Sequence, residues 1–179
     1  MVIPSQDKRW IVIPKPRPRA AIRLICFPYA GGGPEIFREW PTRLPDWMEI
    51  RAVHLPGRGM RLSESVFTRI EPLLDELMPA LEPHLEGPFA FFGHSMGALV
   101  AFEVARALRR NARPLPLHLI PSGLSAPQIR RKPPYTFELS EDEFVERIRE
   151  LEGTPEGVLE HAELRELVMP ILRAEFELS

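Results

Sequence analysis

The chain has 179 residues, 44% hydrophobic and 27% charged, with a formal net charge of −2 and a single cysteine. That length suffices for one domain with a sizeable core. The near-neutral balance gives no basic excess for nucleic acid, and the longest apolar runs, such as 89–92, are far too short to span a bilayer. Gln6, Asp7, Lys8 and Arg9 interrupt the N-terminus before the apolar centre of a signal peptide could form. Cys26 alone excludes an internal disulfide and, inside the apolar stretch 22–27, reads as a buried small hydrophobe. A reducing, cytoplasmic address is the expectation.

In chain order, 10–13 is a short apolar run that stops at Pro14. Pro14, Pro16 and Pro18 alternate with basic residues as an extended connector. Residues 22–27 are strand-like and are broken by Pro28 and then Gly31, Gly32 and Gly33. Pro34 opens a helix predicted to run through Leu44. Residues 50–55 read as a strand ending at Pro56-Gly57. Leu73, Leu74, Leu77, Leu81 and Leu85 recur at spacings of three and four, predicting a helix over 70–85. A strand follows at 89–92, a helix at 98–108 with Val100, Val104 and Leu108 on one stripe, and a strand at 115–120. Strands alternating with helices predict a mainly parallel sheet covered on both faces.

Residues 1–126 are assigned to that core. From 127 the rhythm changes. A loop at 127–134 carries Arg130, Arg131 and Lys132, read chiefly as a solvated segment and otherwise as a contact for an acidic partner. Ser140 with Glu143 forms a capping-box signature for a helix reaching about Leu151 and ending near Gly153. A second helix carries Leu164, Leu167, Val168, Ile171, Leu172 and Phe176. Successive helices without a strand predict that 127–179 is a helical insertion beside the sheet, such as a lid.

Gly93-His94-Ser95-Met96-Gly97 is a G-x-S-x-G sequence between an apolar strand and a well-patterned helix. In that context a sharp strand-to-helix turn lifts the serine hydroxyl above the sheet, which makes Ser95 the candidate nucleophile of an α/β-hydrolase. Gly93 and Gly97 leave room for the strained backbone, and the helix N-terminus favours developing negative charge. His94 is read as support for this elbow. Residues 27–33, Phe-Pro-Tyr-Ala-Gly-Gly-Gly, follow an early strand, where such folds supply half of an oxyanion hole. The other half is the Met96 N–H. Tyr29 N–H is the first choice for the loop donor, with Ala30 as the alternative. No Gly-Lys-Ser/Thr follows that loop, which argues against phosphate binding, and Leu62 stands where a dinucleotide fingerprint after Gly57-Arg58-Gly59 needs a third glycine. Nothing has metal-ligand spacing.

Residues 26–33 (Cys-Phe-Pro-Tyr-Ala-Gly-Gly-Gly), 55–59 (Leu-Pro-Gly-Arg-Gly) with Arg61, and 92–98 (Phe-Gly-His-Ser-Met-Gly-Ala) together resemble the type II thioesterases of nonribosomal peptide and polyketide synthesis. Ser122-Gly123, Ala126-Pro127 and Gly153-Thr154-Pro155 match as well. The resemblance implies a monomeric enzyme that hydrolyses acyl or aminoacyl thioesters from the phosphopantetheine arm of acyl or peptidyl carrier proteins, with no cofactor of its own. It also implies a triad running Ser, then Asp or Glu, then His. Only His118 and His161 follow Ser95, and neither occupies a loop after a late strand. The expectation is therefore that the acid, the histidine and the last strands lie beyond Ser179, leaving this chain inactive by itself. Two other readings remain: another serine esterase or acyltransferase of this fold, and a non-catalytic fragment that binds a carrier protein.

Overall fold

The computed structural model describes residues 10–126, 129 and 133–179. Five strands form one sheet: β1 (Ile11–Val12), β2 (Ile22–Phe27), β3 (Met48–Val53), β4 (Phe89–His94) and β5 (Leu119–Ser122), in the order β1-β3-β2-β4-β5. Only β1 runs antiparallel, against β3; the other three pairings are parallel. The mainly parallel sheet predicted from the alternation is thus observed.

Alternation along the central strands divides the core between two faces. Ile25 and Phe27 of β2 and Phe89 and Phe91 of β4 lie in one cluster with the apolar stripes of α2 (Ile70–Leu81) and α3 (Met96–Arg110). Leu24, Cys26 and Ala90 lie in the other, where Phe37 and Trp40 cover the sheet. Cys26 is fully buried, and burial pushes its thiol pKa well up. Leu73, Leu74, Leu77, Leu81 and Leu85 are all buried, as are Val100, Val104 and Leu108.

Several boundaries differ from the sequence expectation. The helix predicted over 34–44 is a 3-10 turn, Pro34–Phe37, followed by the one-turn α1, Trp40–Arg43. Pro41 has no N–H to continue a helical ladder across this stretch, which breaks it in two. The α2 helix stops at Leu81, and Glu82–His84 is a separate 3-10 turn. The last strand begins at Leu119 instead of residue 115; Pro116 cannot donate, and hydrogen bonding to β4 starts with Leu117 N–H donating to Phe89 O at 2.8 Å. Leu115 and Leu117 are exposed.

After β5, the predicted domain boundary at 127 and the Arg130, Arg131 and Lys132 cluster lie outside the described residues. Three helices follow: α4 (Glu141–Glu150), α5 (Glu156–Glu160) and α6 (Ala162–Leu178). Ser140 and Glu143 form the predicted capping box on α4, with Ser140 Oγ accepting from Glu143 N–H at 3.4 Å and Glu143 accepting from Ser140 N–H at 3.0 Å. These helices share a cluster of their own, in which Phe144, Ile148, Leu159 and Leu172 are almost wholly buried. The stripe expected on α6 is shifted: Leu164 and Leu167 are exposed, while Met169, Leu172, Ala174, Glu175 and Leu178 are buried.

Candidate active site

Ser95 is the single residue between the end of β4 and the start of α3, with φ 52° and ψ −122°. A non-glycine residue in such a conformation costs on the order of 1–3 kcal/mol and persists only where its surroundings over-determine it. Those surroundings are visible. Ser95 N–H donates to Ser122 O at 2.8 Å, and Ser95 O accepts from Ala98 N–H at 2.9 Å. Both neighbouring glycines are required by close backbone approach. A Cβ on Gly93 would run into the Gly97 carbonyl, and a Cβ on Gly97 would run into the carbonyl oxygens of Phe27 and Pro28. The first turn of α3 therefore sits directly on the end of β2.

That contact brings the loop after β2 beside Ser95. Gly32 N–H donates to Tyr29 O at 2.9 Å, closing a turn, and Gly31 takes the left-handed φ of 80°. Among the described residues, no protein group accepts from the N–H of Tyr29, Ala30 or Met96, and Ser95 Oγ has no hydrogen-bond partner. Tyr29, Ala30, His94 and Ser95 share a cavity of about 410 Å3 whose far side is formed by Ile148, Leu151, Leu172 and Phe176 of the helical segment. A second opening, of about 890 Å3, reaches Ser95 from the side of Phe102, Gly123 and Tyr135.

The five histidines of the chain are all engaged or placed elsewhere. His94 Nδ1 hydrogen-bonds Ser122 Oγ at 3.0 Å, and its ring meets Tyr29 edge-on at 5.9 Å, so it props the elbow without bonding Ser95. His54 Nε2–H donates to Arg58 O at 3.1 Å; burial, opposed by that bond, lowers its pKa. His84 accepts from Arg51 Nη1 at 2.9 Å. His118 and His161 are exposed, and neither hydrogen-bonds Ser95. Arg106 pairs with Glu103 at 2.7 Å, and Arg109 and Arg110 lie in the last turn of α3.

Sequence reasoning missed one group. Arg58, in the Leu-Pro-Gly-Arg-Gly stretch, forms a buried ion pair with Glu175 of α6, and Glu175 Oε2 accepts from Gly31 N–H at 2.7 Å. An acidic side chain between Leu172 and Leu178 on one helical stripe was the available signal.

A strained serine between a parallel strand and the helix that leaves it, beside the Tyr29 and Ala30 N–H groups that have no acceptor among the described residues, has the form of the nucleophile elbow of the α/β-hydrolases. Comparison with known proteins narrows this class. Residues 22–179 match the thioesterase domain family, and the chain belongs to it. It is 40% identical over 176 residues to the gramicidin S biosynthesis protein GrsT of Aneurinibacillus migulanus, covering 98% of this chain and 69% of that protein. To the human S-acyl fatty acid synthase thioesterase, medium chain, it is 40% identical over 166 residues, covering 90% and 62%. Among solved structures, the RedJ thioesterase from the prodiginine pathway of Streptomyces coelicolor superposes with a TM-score of 0.81 at 43% identity, covering 88% of this chain and 62% of RedJ. The chain thus spans 62 to 69% of the length of these relatives. The resemblance to type II thioesterases drawn from the motifs holds.

Proposed function

We propose that this chain carries the nucleophile and oxyanion side of a serine thioesterase. Its substrates are acyl or aminoacyl groups on the phosphopantetheine arms of acyl or peptidyl carrier proteins in nonribosomal peptide or polyketide synthesis. The observation that carries this reading is the Ser95 hydroxyl, without a hydrogen-bond partner among the described residues and held in a strained turn, in one cavity with Tyr29 and Ala30, whose N–H groups, like that of Met96, have no acceptor among those residues. Ser95 Oγ attacks the thioester carbonyl, and the N–H groups of Met96 and of Tyr29 or Ala30 receive the oxyanion. Collapse expels the thiolate of the arm, and water then releases the acyl group from Ser95. The arm belongs to the partner, so the chain needs no cofactor of its own. Residues 127–179 act as a lid, and the apolar wall of Ile148, Leu151, Leu172 and Phe176 receives the acyl chain. A cytoplasmic address fits a carrier-protein substrate, and no helix among the described residues is long and apolar enough to cross a membrane.

No histidine of this chain bonds Ser95, so the reading requires a base from outside these 179 residues. Loss of the triad histidine costs on the order of a millionfold in kcat in a serine hydrolase. The test is hydrolysis by residues 1–179 of an acyl-carrier thioester and a matched soluble ester, with and without imidazole as added base, beside Ser95→Ala. Expected are near-background rates alone, a Ser95-dependent increase with imidazole, and preference for the carrier thioester. Preference for the ester moves the assignment to an esterase, and no Ser95 dependence leaves the non-catalytic carrier-binding reading.

A further inference from the structure

Glu175 is 3% exposed and Arg58 7%, on elements far apart in sequence. Both Glu175 carboxylate oxygens are used: Oε1 pairs with the Arg58 guanidinium, and Oε2 accepts from Gly31 N–H at 2.7 Å. Arg58 Nη1 in turn donates to Gly32 O, and its Nε donates to Pro56 O at 3.2 Å. The N–H of Gly31 and the C=O of Gly32, from the peptide groups on either side of the Gly31–Gly32 bond, are thereby tied to a single ion pair, immediately after Tyr29 and Ala30. Leu172, one turn before Glu175, closes over the same backbone: a Cβ on Gly31 would lie 2.7 Å from Leu172 Cδ2. Burial lowers the Arg58 pKa to about 10, with Glu35 opposing and Arg61 adding to that shift, so the guanidinium stays charged at neutral pH.

Stability alone does not account for such a pair, because well-packed apolar residues in place of a buried ion pair are often as stable or more so. What charged groups add is direction. We infer that Glu175 and Arg58 are positioning residues for the oxyanion loop, fixing the Ala30–Gly31 and Gly32–Gly33 peptide planes and through them the Tyr29 and Ala30 N–H groups. Glu175 reaches Gly31 only while α6 is docked on the loop. The oxyanion donors are therefore aligned when the helical segment is seated and released when it lifts. The inference rests on the proposed oxyanion role of this loop.

Two double variants separate positioning from folding. Arg58→Met with Glu175→Gln removes the charges but leaves an amide oxygen to accept from Gly31 N–H. Arg58→Met with Glu175→Met removes the charges and the acceptor together. The probe is an alkyl fluorophosphonate with imidazole present: the Ser95 Oγ–P bond forms, the P–F bond breaks, fluoride leaves and the serine proton passes to imidazole. Maximal labelling rate, apparent affinity and thermal midpoint are measured for each, with Ser95→Ala as control.

The Gln-containing pair is expected to label about ten-fold faster at saturation than the Met pair, the rate equivalent of one hydrogen bond. Apparent affinities should match, and hydrogen exchange across 29–33 should be faster in the Met pair. Arg58→Lys keeps the charge but loses the fork that holds Gly32 and Glu175 at once. Its maximal rate should fall several-fold, with a thermal midpoint close to that of the unmodified chain. Equal maximal rates in the two double variants, or an Arg58→Lys rate equal to that of the unmodified chain, overturn the positioning role while leaving Ser95 as nucleophile. Undiminished labelling of Ser95→Ala overturns the Ser95 reading and this inference with it.

Discussion

The strain at Ser95 can be measured as stability. Its φ of 52° with ψ −122° places Cβ where only glycine is comfortable, at a cost of about 1–3 kcal/mol. Ser95→Gly removes that Cβ and recovers the strain, less about 0.5–1 kcal/mol for the extra freedom glycine gives the unfolded chain. The net expectation is stabilisation of about 1 kcal/mol, or roughly 2–4 °C in thermal midpoint for a chain of this size. Ser95→Ala keeps the Cβ and therefore the strain. Because Oγ has no hydrogen-bond partner among the described residues, it should fall within about 0.5 kcal/mol of the unmodified chain. The difference between the two variants isolates the backbone term. Urea unfolding followed by tryptophan fluorescence and circular dichroism measures it, with the slope on denaturant checked for constancy. If Ser95→Gly is no more stable than Ser95→Ala, the turn is not strained in solution and the over-determined elbow is wrong.

Gly97→Ala should act in the opposite direction. Its Cβ meets the carbonyl oxygens of Phe27 and Pro28, backbone atoms that cannot rotate aside, so a loss of about 1–3 kcal/mol is expected with Ser95 labelling strongly reduced; an unfolding midpoint equal to that of the unmodified chain would refute the close approach. His84 is held neutral, with a pKa lowered to about 4 from 6.5 by burial and then by Arg51. The unfolded chain binds that proton and the folded one does not, so this contribution to stability is present above pH 6.5 and is lost as pH falls toward 4, by on the order of 1 kcal/mol per pH unit. His84→Gln, which can still accept from Arg51, should flatten that slope in urea titrations at stepped pH; an unaltered slope contradicts the assignment.

Local pattern carried the parts of the fold whose partners lie close in sequence. The leucine stripe of α2, the Val100, Val104 and Leu108 stripe of α3 and the capping box at Ser140 are regularities of one helix each, and all are observed. Pattern failed where proline chemistry or distant packing decides. Pro41 splits the helix expected over 34–44, and hydrogen bonding to β4 begins only after Pro116. On α6 an apolar count could not tell Leu164 and Leu167, which face out, from Leu172 and Leu178, which face in, because the choice is made by α4 and the loop at 29–33 for Leu172 and by the sheet core for Leu178. The elbow was legible because Gly93 and Gly97 are demanded by contacts of at most a few residues, or by the strand immediately beneath them. Glu175 was not, since its partners Arg58 and Gly31 come from loops more than a hundred residues earlier.

The elbow and the loop at 29–33 are held from different sides, and this decides how each responds to change. Ser95 depends on β5: its N–H donates to Ser122 O, and Ser122 Oγ holds the His94 ring. β5 is an edge strand among the described residues, with Ile120 about half exposed, so its pairing with β4 is protected on one side only. The loop at 29–33 depends instead on α6, through Glu175 and Leu172, and on the first turn of α3, through Gly97. On the proposed roles, loosening β5 relaxes the serine and the Met96 N–H that follows it while leaving the Tyr29 and Ala30 N–H groups aligned, whereas lifting α6 misaligns those two while leaving the serine strained. The two halves meet at Gly97, whose Cα hydrogens face the carbonyls that end β2. A side chain there would disturb both halves at once.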